Sequence, residues 1–316
     1  MNAQTLVVRV RDAASGQWLH NAEVIDRTSG RRWFTSIQGD ASVPAAQGAR
    51  ELRIRQIGYT YVDTTVSPGT DALDISLKRV AYDLPTEKIV ERNECGEAAD
   101  PTSRAVAALA LEQLQAAAER YESFRGKYPF NVTLERYTKW FDAKGTPTRQ
   151  DSRDERTTSE DWGERYVRGA VVERSGRVTG PSGFSALILF LSNLAEPEFW
   201  RAHCFEVRGM ENVHDTPAVR LAFWPATSVK TPDWSGAALL DSATSELRRI
   251  EFSLVGGRSG ERPARLEGYT TFRSPTPNIV LPDSTLAAWW YVRTTDRPDM
   301  FQMLRVKEIK YNRARP

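Results

Sequence analysis

A chain of 316 residues exceeds the usual size of one hydrophobic core, so about two domains are expected. A hydrophobic content of 40%, with 9 Trp, 10 Tyr and 12 Phe, excludes disorder over most of the length. The 43 Lys and Arg against 41 Asp and Glu leave no field able to hold a polyanion, which excludes nucleic acid as a partner, and no apolar run reaches the length of a transmembrane segment.

Residues 1–4 lead straight into a strand pattern, as expected of an exported protein whose signal peptide has been removed. Leu6, Val8 and Val10 alternate with Val7, Arg9 and Arg11 before a turn at 12–16. Ala22, Val24 and Asp26 restart the alternation, and runs at 32–36, 51–56, 59–66 and 73–78 repeat it. Short strands at this spacing predict a seven-strand-type β-sandwich over residues 1–80.

This stretch resembles the carboxypeptidase regulatory-like, transthyretin-like β-sandwich modules of exported bacterial proteins. The resemblance is carried by Val7-Val8-Arg9-Val10-Arg11-Asp12, Ser15-Gly16, Asn21-Ala22-Glu23-Val24, Thr35-Ser36-Ile37-Gln38-Gly39-Asp40, Ile57-Gly58-Tyr59 and Leu73-Asp74-Ile75-Ser76-Leu77. Gly16, Gly39 and Gly58 sit where turns must tolerate positive φ. Ser36 and Ala41 depart from the family, which usually has Asp after the Thr and an aromatic after the Gly. The resemblance implies an accessory or spacer module. Transthyretin-type hydrolases need a histidine constellation, and only His20 falls here.

Residues 81–100 read as a polar connector. Asp100 is a good N-cap and Pro101 suits a first helical turn, so a helix is expected there. Its apolar face is Ala105, Val106, Leu109, Leu114, Ala117, Ala118 and Tyr121, and Gly126 closes it. A strand follows at 131–141, then a charged, solvated stretch at 149–158 and a strand at 167–173. The apolar segment 184–193 is a candidate helix, and a short helix is expected at 196–202. From there the pattern is β: 205–209, 218–225, 236–241, 246–254, 265–273, 286–293 and 304–312. Residues 101–316 therefore predict an α+β domain, a curved antiparallel sheet or open barrel with two or three helices, in a chain that is mainly β. In topology and in the run 234–254 this domain is similar to the half-barrel carriers that sort lipoproteins in the periplasm.

Catalytic constellations are incomplete. His203 and Glu206 have the His-x-x-Glu spacing of zinc carboxypeptidases, but the only later histidine is His214, eight residues on, so no metal is expected. His203 and Cys204 are adjacent, and in a strand they point to opposite faces. Ser182 lacks the Gly two residues on that a nucleophile elbow needs. Asp151, Asp154, Glu155, Glu160 and Asp161 lie in a run charged enough to be a solvated face. No catalytic residue and no cofactor is therefore assigned.

Cys95 and Cys204 are expected to form a disulfide, the alternative being two buried free thiols. The tryptophans are the one excess that invites a function. Trp224, Trp234, Trp289 and Trp290 are the candidate ligand-binding residues, and Trp289 and Trp290 must face opposite sides of a strand, one of them toward an open surface. The expectation is an exported, periplasmic or secreted, non-enzymatic protein that binds a lipid, a glycan or a cell-envelope protein. The alternative is a hydrolase using acids within 151–161.

Overall fold

The computed structural model describes residues 5–45, 47–82, 101–162, 165–174, 184–226, 230–258, 262–276, 279–291 and 297–312. The chain divides into two compact units, one over Met1–Ala81 with Ala243–Ser245, the other over Tyr82–Ser242 and Glu246–Pro316. Most of the expected connector, with Asp100 and Cys95, lies outside the described residues.

The first unit holds β1 (Thr5–Asp12), β2 (Glu23–Asp26), β3 (Arg32–Phe34), β4 (Asp40–Pro44), β5 (Arg50–Arg55), β6 (Val62–Val66) and β7 (Ala72–Leu77). They form two sheets, β4-β1-β7 and β3-β2-β5-β6. The alternation in β1 buries Leu6, Val8 and Val10, and these meet Val24, Val43, Leu52, Ile54 and Leu77 in one aliphatic core. The turn after β1 is held by a single buried carboxylate. Asp12 accepts hydrogen bonds from the backbone N–H groups of Ala14 (2.8 Å) and Ser15 (2.9 Å), from the Tyr59 hydroxyl (2.8 Å) and from Arg79 Nε (2.7 Å). These donors hold the Asp12 carboxyl well below the usual carboxylate range, the Ser15 N–H and the Tyr59 hydroxyl foremost, with burial opposing them. Gly39, at φ +78°, has Trp18 Cβ 2.8 Å from where its own Cβ would stand, so the close approach as well as the dihedral demands glycine.

The second unit begins with α1 (Pro101–Lys127) and continues through β8 (Phe130–Phe141), β9 (Pro147–Thr158), β10 (Val172–Arg174), β11 (Phe184–Ala186), a 3-10 turn at Asn193–Ala195, and α2 (Pro197–Ala202). Then come β12 (His203–Val213), β13 (Thr216–Pro225), β14 (Asp233–Asp241), β15 (Leu247–Val255), β16 (Arg265–Thr276), β17 (Ile279–Trp290) and β18 (Met300–Tyr311). One nine-stranded sheet, ordered β12-β13-β14-β15-β16-β17-β18-β8-β9, is antiparallel throughout and does not close into a barrel. One expectation is corrected here and one is sharpened. The segment 184–193 is not a helix but a short strand followed by irregular backbone: its apolar run is unbroken from Ala186 to Leu191 and has no helical period, and burial alternates along it, with Leu187, Leu189 and Leu191 buried and Ile188 and Phe190 partly exposed. The charged stretch 149–158 is a strand, β9, at the edge of the sheet; with both faces wet, it carries no apolar alternation.

The sheet is curved, and the sequence says why. Val106, Ala110, Leu114, Ala117, Ala118 and Tyr121 make the buried face of α1, and its alanines allow a close approach. That helix lies close to β12 and β13 and also to β17, and less so to the strands between. In a flat sheet β12 and β17 would be about 24 Å apart, at about 4.8 Å per strand, and a helix lying across both would approach the strands between them as closely; its weaker approach to those strands is what a sheet curled around the helix gives. One register row supplies the bend. Phe223, Gly236, Phe252, Gly268 and Ala287 lie opposite one another across β13 to β17. Phe223 Cζ lies 3.0 Å from where a Cβ would stand at Gly236, and Phe252 Cζ 2.9 Å from that position at Gly268. Each ring occupies its neighbour's missing side chain, and each glycine is also pressed by a backbone oxygen of the next strand, Glu251 O and Leu286 O.

Candidate functional site

The concave face forms a trough. Its floor carries Leu221 and Phe223 from β13, Trp234 and Ala238 from β14, Ile250, Phe252 and Leu254 from β15, Leu266 from β16 and Trp289 from β17, all buried. The cross-strand pairs Leu221↔Ala238, Trp234↔Leu254, Ile250↔Thr270 and Leu266↔Trp289 put these side chains on one face. The opposite face carries a charged network beside a small apolar cluster of Val213, Ala218 and Leu239: Arg220 bonds Glu211 (2.8 Å) and Glu251 (2.7 Å), and Arg249 bonds the same two carboxylates at 2.8 Å. This contrast fixes the register, since a slip of one residue would exchange the two sets.

Residues 187–194 cover the trough together with α1, which packs against the 3-10 turn at their end. Leu187, Leu189, Leu191 and Leu194 are buried, although the backbone that carries them is neither helix nor strand up to the 3-10 turn. Thr270 on the floor donates its hydroxyl to Leu189 O (3.2 Å) and shares a hydrogen bond with Thr285 (3.0 Å). Asn193 Oδ1 accepts from the Phe190 N–H (2.8 Å), which turns the chain back.

A polar cluster closes the end of the trough at α2. The Tyr166 hydroxyl donates to the Asp233 carboxylate (3.0 Å to each oxygen), and His203 Nε2 lies 3.6 Å from Asp233 Oδ1. Both ring nitrogens of His203 meet carbonyl oxygens, Nδ1 that of Phe199 (2.9 Å) and Nε2 that of Trp234 (3.0 Å). Carbonyls only accept, so both bonds form together only when the ring is doubly protonated, with Asp233 as its counter-charge. Burial works against both charges, pushing the imidazole below and the carboxyl above their ordinary values. The ring stacks on Phe199, centroids 4.1 Å apart. With no side-chain surface exposed on either partner, the pair braces the trough and meets no dissolved substrate. Its members, 30 or more residues apart in sequence, could not be assembled by inspection. The signal was a histidine at a helix-to-strand junction.

The four candidate tryptophans divide between the two faces. Trp234 and Trp289 line the trough; Trp224 and Trp290 lie on the outer face, Trp224 beneath Arg208 (4.8 Å from guanidinium carbon to ring centre) and Trp290 beneath Arg265 (4.5 Å). Trp289 and Trp290 do point to opposite sides, but neither is open: they are 3% and 4% exposed. The outer ring is shielded by the arginine of the neighbouring strand and does not form a free platform. The indole Nε1 atoms of Trp224, Trp234 and Trp289 are buried and have no hydrogen-bond acceptor among the described residues; the last two belong to the trough.

Cys204 is buried on the outer face of β12, paired in register with Trp224; its expected partner Cys95 lies outside the described residues, as does Ser182. Glu206 bonds Arg208 (3.0 Å) on the outer face while His203 faces inward, so the two do not converge on one ion. Asp161 accepts from the Thr158 hydroxyl (2.7 Å) and lines an open polar groove of about 620 Å³ with Asn131, Thr133, Arg156 and Lys310. Glu155 bonds Arg136 and Arg153, and these bonds, with Arg136 foremost, lower its carboxyl from the ordinary value, the opposite of a general acid.

No family model matches the chain, and no curated protein matches it. Among solved structures it is similar to a LolA superfamily protein from Nitrosomonas europaea (13% identity, TM-score 0.35, covering 65% of this chain and 93% of that one). It is also similar to a DUF1329 family protein from Desulfovibrio piger (10%, TM-score 0.33, 64% and 93%). A third is a domain described as an outer membrane lipoprotein-sorting protein, from Vibrio parahaemolyticus (14%, TM-score 0.33, 64% and 93%). Likeness at this level does not identify a ligand.

Proposed function

We propose that the chain is an exported, non-enzymatic carrier whose larger unit binds an acyl-bearing molecule in the trough, and whose first unit is a carboxypeptidase regulatory-like spacer. The observation that carries the reading is the pair of buried indole N–H groups, Trp234 Nε1 and Trp289 Nε1, with no acceptor among the described residues, on a floor lined mostly by apolar side chains. An unmade bond at a buried donor costs about 1–3 kcal/mol, and an ester or amide carbonyl at the head of an acyl chain offers the acceptor. The cover supports the same reading. Four leucines on irregular backbone occupy the floor where an acyl chain would lie, and such a segment withdraws at less cost than a strand of the sheet.

The test uses delipidated full-length protein, a fluorescent fatty acid and a diacylated lipopeptide. Micromolar binding is expected, with Trp234→Phe and Trp289→Phe each weakening it about tenfold while the fold is kept, since phenylalanine retains most of the ring and loses the donor. Absence of binding to either probe, or binding that neither substitution affects, overturns the proposal.

A further inference from the structure

The nine-stranded sheet ends at β9, which pairs with β8 along one side and has no strand partner on its other side among the described residues. Its charges are ordered. On the face continuous with the trough, β9 carries Arg149, Asp151, Arg153 and Glu155, opposite Trp140, Thr138, Arg136 and Leu134 of β8. The signs alternate along the strand, plus, minus, plus, minus.

We infer that β9 pairs antiparallel with β9 of a second copy of this chain, about a two-fold axis through Ser152. An axis perpendicular to the sheet keeps the troughs of both copies on the same side, and it sets Arg149 opposite Glu155 of the other copy and Asp151 opposite Arg153. Each contact occurs twice, so four cross-strand pairs of opposite sign form on one face. On the other face the axis sets Gln150 against Asp154 and brings Ser152 to itself, with no like charges opposed. Among the registers centred on this strand, axes through Gln150 or Asp154 leave two opposite-sign contacts on this face in place of four. An axis through Asp151 sets that residue against its own copy and Arg149 against Arg153; an axis through Arg153 does the same for Arg153 and sets Asp151 against Glu155. Both juxtapose like charges, which disfavours cross-strand pairing. Asp151 supports the inference independently, for it has no ion-pair partner among the described residues, whereas Glu155 has Arg136 and Arg153, and Asp154 has Lys307 at 2.9 Å. The pairing joins two nine-stranded sheets edge to edge.

Sedimentation equilibrium on the full chain tests this against the competing role of such charges, which is to keep an edge monomeric. A reversible dimer is expected, weakened by salt. Asp151→Arg creates two like-charge contacts and is expected to weaken association about thirtyfold. The double variant Asp151→Arg with Arg153→Asp restores opposite signs across the axis and is expected to restore the dimer. Both positions are on a wet edge, and an unchanged melting temperature verifies the fold of each variant. Ser152→Cys is expected to cross-link through its own copy, with Cα atoms about 5 Å apart, and Gln150→Cys is not. A monomer at all concentrations up to about 500 μM, a dimer indifferent to Asp151→Arg, or a failure of the double variant to restore association overturns the inference.

Discussion

The two units close their cores in different ways. In the sandwich, regular strands supply both walls: Val8 and Val10 of one sheet meet Val24, Leu52 and Ile54 of the other, and every wall is fastened by a hydrogen-bonded ladder. In the larger unit one wall is a nine-stranded sheet, but part of the other is the irregular segment 187–194, tied to the floor by Thr270. Burial of the individual leucines is the same, since Leu52, Leu189 and Leu191 are all fully buried. What differs is how much structure must open to expose them. The comparison teaches that completeness of burial does not measure permanence of closure.

The largest expected effect concerns the larger unit alone. The proposed Cys95–Cys204 bond closes a loop of about a hundred residues, and its loss should lower the stability of that unit by about 4 kcal/mol while leaving the sandwich transition unchanged. Thiol titration under denaturing, non-reducing conditions comes first; two titratable thiols would remove both this prediction and the main support for an oxidising compartment. Next, Leu52→Ala should cost about 3 kcal/mol, as for a leucine walled in on all sides. Leu191→Ala should cost about 1 kcal/mol, because the cover can settle or lift locally, and amides of 187–194 should exchange with deuterium faster than those of β14 and β15. Equal penalties and equal exchange would erase the distinction drawn here.

Acid separates the units by a smaller effect. Asp12 is held below the usual carboxylate range in the folded sandwich and titrates near pH 3.9 when unfolded, so its stabilisation is present above about pH 4 and is lost as pH falls toward the folded value. The melting temperature of the sandwich should therefore drop between about pH 4 and pH 2, and Asp12→Asn should flatten that slope. An unchanged slope would show that the four donors around Asp12 do not set the acid response.

Much of this was legible in the sequence, where residue type and period coincide. The alternation of Leu6, Val8 and Val10 and the helical face from Val106 to Tyr121 predict elements the structure contains, and the hairpin of β14 and β15 follows from its apolar run. Two kinds of information were hidden. β9 is wet on both faces, so nothing in its composition separates a strand from a solvated loop. Trp290 is hidden by Arg265, a contact that depends on a register between β16 and β17 which no local pattern specifies. The bend was hidden in the same way, since Gly236 and Gly268 fall within expected strands and gain their meaning only when the phenylalanine of the preceding strand is set opposite each.

The four leucines of the cover have a consequence for size selection. Under the carrier reading proposed above, a segment that fills the trough with its own side chains is a built-in gauge of the guest. Leu187, Leu189, Leu191 and Leu194 together hold about as many aliphatic carbons as one long acyl chain, so a single chain of that length replaces them methylene for methylene, and the apolar area taken from water is nearly conserved in the exchange. A shorter chain leaves part of the floor wet while the leucines are expelled, and a branched or second chain has no displaced volume to inherit. Affinity should therefore peak at one chain length rather than rise steadily with hydrophobicity, as it does for a detergent.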